Sequence, residues 1–122
     1  MNRIIIVDDE TDLFPVFKIK FRREIDSGNI QMNFFTSGPE IIQFLDTNPD
    51  LDIKLILLDL FLPGMNGIEI LKTLKEKRPH LKVIMYSAHT DDDIEKEALG
   101  AGADKFLHKP LNFQEMKKYV AA

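Results

Sequence analysis

A chain of 122 residues with 16 Lys or Arg against 20 Asp or Glu carries a formal charge of −4, and 44% of it is apolar. That describes one domain with a radius of gyration of roughly 14 Å, enough for a sheet covered on both faces and too little for a second lobe. The mild acidity gives no drive toward a polyanion, the absence of Cys excludes disulfides and thiolate chemistry, and apolar runs of four residues fall far short of the roughly 20 needed to span a bilayer.

The first element is the run Ile4-Ile5-Ile6-Val7, which reads as a strand buried on both faces. Acid follows at Asp8, leaving no room for a charged leader and cleavage site, so a cytoplasmic location is expected. Phe14, Phe17, Phe21 and Ile25 share one helical stripe, with Pro15 tolerated in the first turn, and predict a first helix that leaves Ile19 exposed. Ile30 to Phe35 is a more polar run suited to a sheet edge. In Ser37-Gly38-Pro39-Glu40 a Ser precedes a Glu by three residues, a capping box opening a second helix that packs through Ile41, Ile42, Phe44 and Leu45.

Leu55 to Leu58 is another doubly buried strand. Gly67 then marks the turn into a third helix carrying Ile70, Leu71 and Leu74. Val83 to Tyr86 forms the fourth strand, and Thr90-Asp91-Asp92-Asp93 opens a fourth helix. With only Ile94, Ala98 and Leu99 as apolar contacts, that helix is lightly anchored and cheap to displace. Lys105 to His108 fits the other sheet edge, and Phe113, Met116 and Val120 mark a fifth helix. Strand and helix thus alternate five times. Short links between them imply right-handed crossovers, hence an α/β fold with an open, doubly wound, five-stranded parallel sheet and five helices.

Ligands of such sheets bind beyond the carboxyl ends of the strands. At that edge the chain places Asp8 and Asp9 after the first strand, Asp59 after the third, Ser87 after the fourth and Lys109 after the fifth. Converging carboxylates raise one another's pKa unless a hard cation with oxygen ligands, such as Mg²⁺, neutralises them. Taken alone, Asp8 and Asp9 could equally cap the first helix, Ser87 could be a cap and Lys109 a surface charge. Together they suit phosphoryl transfer: a carboxylate beside Mg²⁺ is a competent nucleophile, and a hydroxyl and an ammonium can stabilise the equatorial oxygens.

The segments Val7-Asp8-Asp9-Glu10, Leu57 to Gly67, Tyr86-Ser87-Ala88 and Gly100 to Pro110 occur in order along the chain. In these motifs the chain resembles the response-regulator receiver domain, the CheY-like family of two-component signalling, over essentially residues 1–122. The resemblance implies the flavodoxin-like strand order 2-1-3-4-5 and a cis peptide at Lys109-Pro110. It also implies that Asp59 accepts a phosphoryl group from a phosphohistidine. Asp9, Asp59 and the backbone carbonyl of Phe61 would ligate Mg²⁺, with Asp8 acting mainly through water. Ser87 and Phe106 would form a switch pair, and Lys109 would contact the phosphoryl group.

The implied partners are a sensor histidine kinase or histidine phosphotransfer protein, docking near Ile19, and an effector domain or output protein. The output face would consist of the fourth helix, fifth strand and fifth helix, with no direct nucleic-acid or membrane contact by this domain. Such a chain catalyses its own phosphorylation and dephosphorylation but is chiefly a switch. Two departures stand out. Phe61 is bulkier than many residues at its position and His89 flanks the site, so both could gate the attacking water; equally, the Phe61 ring could point away and only its carbonyl matter.

Two other readings remain. A haloacid-dehalogenase-like Mg²⁺ phosphohydrolase needs Asp-x-Asp after its first strand, whereas Asp8-Asp9-Glu10 has the wrong spacing and 122 residues leave no substrate cap. A receiver-like binding module that is never phosphorylated would not need the full residue set. Met1 shortly before the first strand favours a natural start, while Val120-Ala121-Ala122 after the last helix fits a short protein or a trimmed one.

Overall fold

The computed structural model describes residues 2–88 and 91–121. Met1, His89, Thr90 and Ala122 lie outside them, so the readings placed on His89 and Thr90 have no structural counterpart here. In chain order the elements are β1 (Asn2–Val7), α1 (Leu13–Lys20), α2 (Arg22–Asp26), β2 (Ile30–Phe35), α3 (Gly38–Thr47), β3 (Leu55–Asp59), β4 (Phe61–Leu62), β5 (Met65–Asn66), α4 (Gly67–Lys77), β6 (Val83–Ser87), α5 (Asp92–Gly100), β7 (Lys105–His108) and α6 (Phe113–Ala121).

The main sheet is parallel throughout, in the order β2-β1-β3-β6-β7. With the tiny antiparallel hairpin β4-β5 set aside, this is the expected order 2-1-3-4-5. The three central strands are apolar at successive positions because both of their faces are covered. Ile5, Val7, Ile56, Leu58, Val83 and Met85 share one layer with Ile41 of α3 and Ile70, Leu71 and Leu74 of α4. Ile4, Ile6, Leu55, Leu57, Ile84 and Tyr86 share the other with Phe17, Phe21, Met116 and Val120.

One element differs from the periodicity. The expected single first helix is bent into two, so the described chain carries six helical segments where five were expected. Phe21 leaves helical geometry at φ −105° and ψ 18°. The apolar stripe nevertheless continues, because Phe21 is fully buried with its ring 6.4 Å from that of Phe113. Bonds from Phe21 N–H to the Phe17 carbonyl and from Ile25 N–H to the Phe21 carbonyl, each 3.0 Å, bridge the bend. Residue spacing reports which face is apolar; it does not report a single dihedral.

Helix α3, the second helix expected from the sequence, starts where its capping residues require. Ser37 Oγ accepts from Glu40 N–H, and the Glu40 carboxylate reaches back to Thr36, accepting from its N–H at 3.1 Å and its hydroxyl at 3.0 Å. At the amino end of the sheet, Asp104 Oδ2 accepts from Val83 N–H at 2.8 Å and from Lys75 Nζ at 2.9 Å, tying α4 to β6 and to the start of β7. No helix of the described residues is long and apolar enough to cross a membrane.

Candidate functional site

Asp59 ends β3 in register with Tyr86 of β6, so its carboxylate stands at the carboxyl edge of the sheet, and the residue is only 4% exposed. A tight loop holds it there. Phe61 N–H donates to Asp59 Oδ1 at 3.1 Å, and Gly67 N–H donates to the Leu60 carbonyl at 2.9 Å. Between them the hairpin β4-β5 turns through Gly64, whose φ of +77° favours glycine. Gly67 is required for a different reason: a Cβ there would press into the backbone of Leu60, 2.7 Å from its Cα.

Lys109 follows β7 and precedes Pro110, to which it is joined by the expected cis peptide. Its own N–H donates to the Ser87 carbonyl at 2.8 Å. Its ammonium lies 3.1 Å from Asp59 Oδ2, 3.2 Å from Asp8 Oδ2 and 3.2 Å from Glu10 Oε1. Asp8 is fully buried, and its Oδ1 accepts from Glu10 N–H at 2.8 Å. Its Oδ2 also accepts from the Tyr86 hydroxyl.

These contacts set the charge states. Burial pushes the Asp59 carboxyl up to about 6, helped by the charge of Asp8 and opposed by the Phe61 amide and by Lys109. Burial works to lower the Lys109 pKa, but the charges of Asp59 and Asp8 reverse this and raise it, so it stays an ammonium. Burial, followed by the bond to Asp8, pushes the Tyr86 phenol well above its ordinary value, so it acts as a donor.

Of the residues singled out in the sequence, Asp8, Asp59 and Lys109 meet directly. Ser87 is buried at the end of β6, one position beyond the partner of Asp59. Phe106 is buried in β7 opposite Met85, with its ring edge-on to His108 at 5.5 Å. Phe61 has its amide on Asp59 and its side chain half exposed, and Ile19 is 70% exposed as the helical stripe implied. Asp9 is exposed, and its neighbour Glu10 joins the cluster. Among the described residues, carboxylate oxygens of Asp8, Glu10 and Asp59 all lie within 4.8 Å of one another. The candidate ligands of this acidic pocket are carboxylate oxygens, with the Lys109 ammonium beside them, and such a donor set fits a hard divalent cation.

Glu10 and Tyr86 are the contributors that residue spacing did not single out. Both sit inside the motifs, and Tyr86 shares its sheet face with Ile4 and Ile6, the face that Asp8 continues. Placing Tyr86 against Asp8 needs the register of β1 and β6 across β3, which no local pattern carries.

Comparison with known proteins shows the family. The profile of the response regulator receiver domain matches residues 4–121, and the chain belongs to that family. It is similar to the DNA-binding transcriptional regulator NtrC of Klebsiella pneumoniae, at 34% identity over 111 residues, covering 90% of this chain and 22% of that protein. It is similar also to the response regulator SaeR of Staphylococcus aureus (strain USA300), at 31% over 116 residues, covering 95% and 47%. The chain thus spans less than half the length of these curated relatives. Among solved structures, a CheY-like response regulator receiver domain protein from Methanospirillum hungatei JF-1 superimposes with a TM-score of 0.83 at 27% identity, covering 99% of this chain and 91% of that one. Membership of this family does not favour the haloacid-dehalogenase reading.

Proposed function

We propose that Asp59 takes a phosphoryl group from a phosphohistidine of a sensor kinase or phosphotransfer protein, and that the chain relays the modification as a change of surface. The observation that carries this is the Lys109 ammonium 3.1 Å from the Asp59 carboxylate, at the end of a buried strand. In the transfer an Asp59 oxygen forms the new bond to phosphorus while the P–N bond to the donor imidazole breaks, and the ring nitrogen keeps the electron pair. Lys109 bears on the incoming negative charge from one side, and the hydroxyl of buried Ser87 supplies a donor from the next strand. Asp9, Asp59 and the Phe61 carbonyl, with Asp8 through water, would hold Mg²⁺, which supplies neutralisation of the attacking and transferred oxygens.

Docking of the donor beside the Asp8-Asp9 edge is supported by exposed Ile19 on α1. Movement of Ser87 toward the new group would free space for the Phe106 ring and shift the face made by α5, β7 and α6, the site for an effector domain or output protein. Transfer from a histidine kinase places the chain in the cytoplasm. The test is incubation with acetyl phosphate and Mg²⁺, followed by intact mass and amide exchange. One added phosphoryl group, lost in Asp59→Asn, together with faster exchange in α5, is the expected result. Absence of the adduct from any small donor or kinase would leave a binding module that is never phosphorylated.

A further inference from the structure

The receiver reading assigns tasks to the groups around Asp59 but none to the side chain that two of them rest on. Tyr86 is fully buried, and its backbone seals the sheet beside the acceptor: Asp59 is its register partner, and its carbonyl accepts from Leu60 N–H at 3.0 Å. Its hydroxyl donates to Asp8 Oδ2, the oxygen that also receives Lys109 at 3.2 Å. The Lys109 ammonium stands 4.7 Å from the centroid of the same ring, within range of a cation–π contact. One residue therefore touches both the carboxylate and the ammonium, one through its polar tip and the other through its ring face.

The chemistry of Asp8 makes this matter. A carboxylate without solvent exposure needs donors on both oxygens, and here the Glu10 amide serves one oxygen while Tyr86 and Lys109 serve the other. Without the hydroxyl, Asp8 draws more heavily on Lys109, whose ammonium is also needed at Asp59. An aliphatic side chain would fill the same core position and offer neither contact.

We propose that Tyr86 is a positioning residue of the acceptor site, its hydroxyl fixing the Asp8 carboxylate and its ring seating the Lys109 ammonium against Asp59. This rests on the receiver reading of the site, and the measurements separate the two. Tyr86→Phe keeps the ring and removes only the hydroxyl; Tyr86→Leu removes both contacts. The readouts are Mg²⁺ affinity by calorimetry, phosphorylation rate with acetyl phosphate at saturating Mg²⁺, and the fold by circular dichroism.

Tyr86→Phe is expected to weaken Mg²⁺ binding by about 10-fold, the scale usual for hydrogen-bond partners of metal-binding side chains. Tyr86→Leu is expected also to slow phosphorylation at saturating Mg²⁺. In an Asp8→Asn background, Tyr86→Phe should change Mg²⁺ affinity no further, because the two groups act as one unit. Ultraviolet resonance Raman of the wild type and Asp8→Asn covers the case in which the Tyr86 variants do not fold: one of the two tyrosines should lose its strong-donor signature when Asp8 is replaced. If the wild type binds Mg²⁺ and is phosphorylated while Tyr86→Phe matches it, or if the Raman spectrum is unchanged in Asp8→Asn, the assignment to Tyr86 is wrong. If the wild type does neither, the receiver reading fails and this assignment falls with it.

Discussion

Replacing Asp59 by Asn should stabilise the protein at neutral pH even as it abolishes phosphoryl acceptance. The residue is 4% exposed and its carboxyl pKa is raised from 3.8 to about 6, with burial as the chief cause and the charge of Asp8 adding to it. A raised carboxyl pKa means that the folded state holds the proton more tightly than the unfolded chain, so the ionised group opposes folding wherever pH exceeds about 6. The opposition fades as pH falls through that value and is gone below about 4, where both states are protonated. Converted at about 1.4 kcal/mol per tenfold change in proton affinity, the penalty is on the order of 3 kcal/mol. Asn keeps the side-chain volume and an oxygen for the Phe61 amide, and Lys109 retains Asp8 and Glu10. Urea unfolding of both proteins, in chelator and across about pH 4 to 8, measures the difference. The variant should unfold at roughly 1–3 M higher urea near neutrality, given the slopes usual for small domains, and the two curves should converge toward pH 4. A variant no more stable than wild type at pH 7.5, or a gap that does not change with pH, would refute the reasoning.

Two further outcomes test the loop and the docking edge. Gly67→Ala pushes a Cβ into the Leu60 backbone, 2.7 Å from its Cα and 2.8 Å from its carbonyl carbon, where no flexible side chain can yield. It should lower stability by about 1–3 kcal/mol in thermal or urea unfolding and slow acceptance at Asp59, while Gly100→Ala, with nothing within 4 Å, should be mild. Ile19→Glu should impair phosphotransfer from the cognate donor while leaving phosphorylation by acetyl phosphate at the wild-type rate; normal rates with both donors would remove Ile19 from the docking surface.

The alternation of doubly buried strands with amphipathic helices was legible along the chain, because burial on both faces forces consecutive apolar residues and burial on one face forces a helical stripe. Ser37 and Glu40 announced the start of their helix for a similarly local reason: a cap is satisfied within a few residues. Asp8, Asp59, Ser87 and Lys109 could be gathered at one edge because the topology of a parallel sheet sends every strand's carboxyl end the same way. Sequence therefore determined the layers, the edge and the acidic and basic groups that meet there. What only the tertiary structure decided were facts that depend on register and single dihedrals. The bend at Phe21 leaves the apolar stripe intact and so leaves no trace in the spacing. The choice of Glu10 over Asp9 as the carboxylate beside Lys109 is one of side-chain direction after the strand has ended. The meeting of Tyr86 with Asp8, 78 positions apart, follows from two strands packed on either side of a third, and a bond between such distant residues is specified by the whole sheet rather than by either neighbourhood.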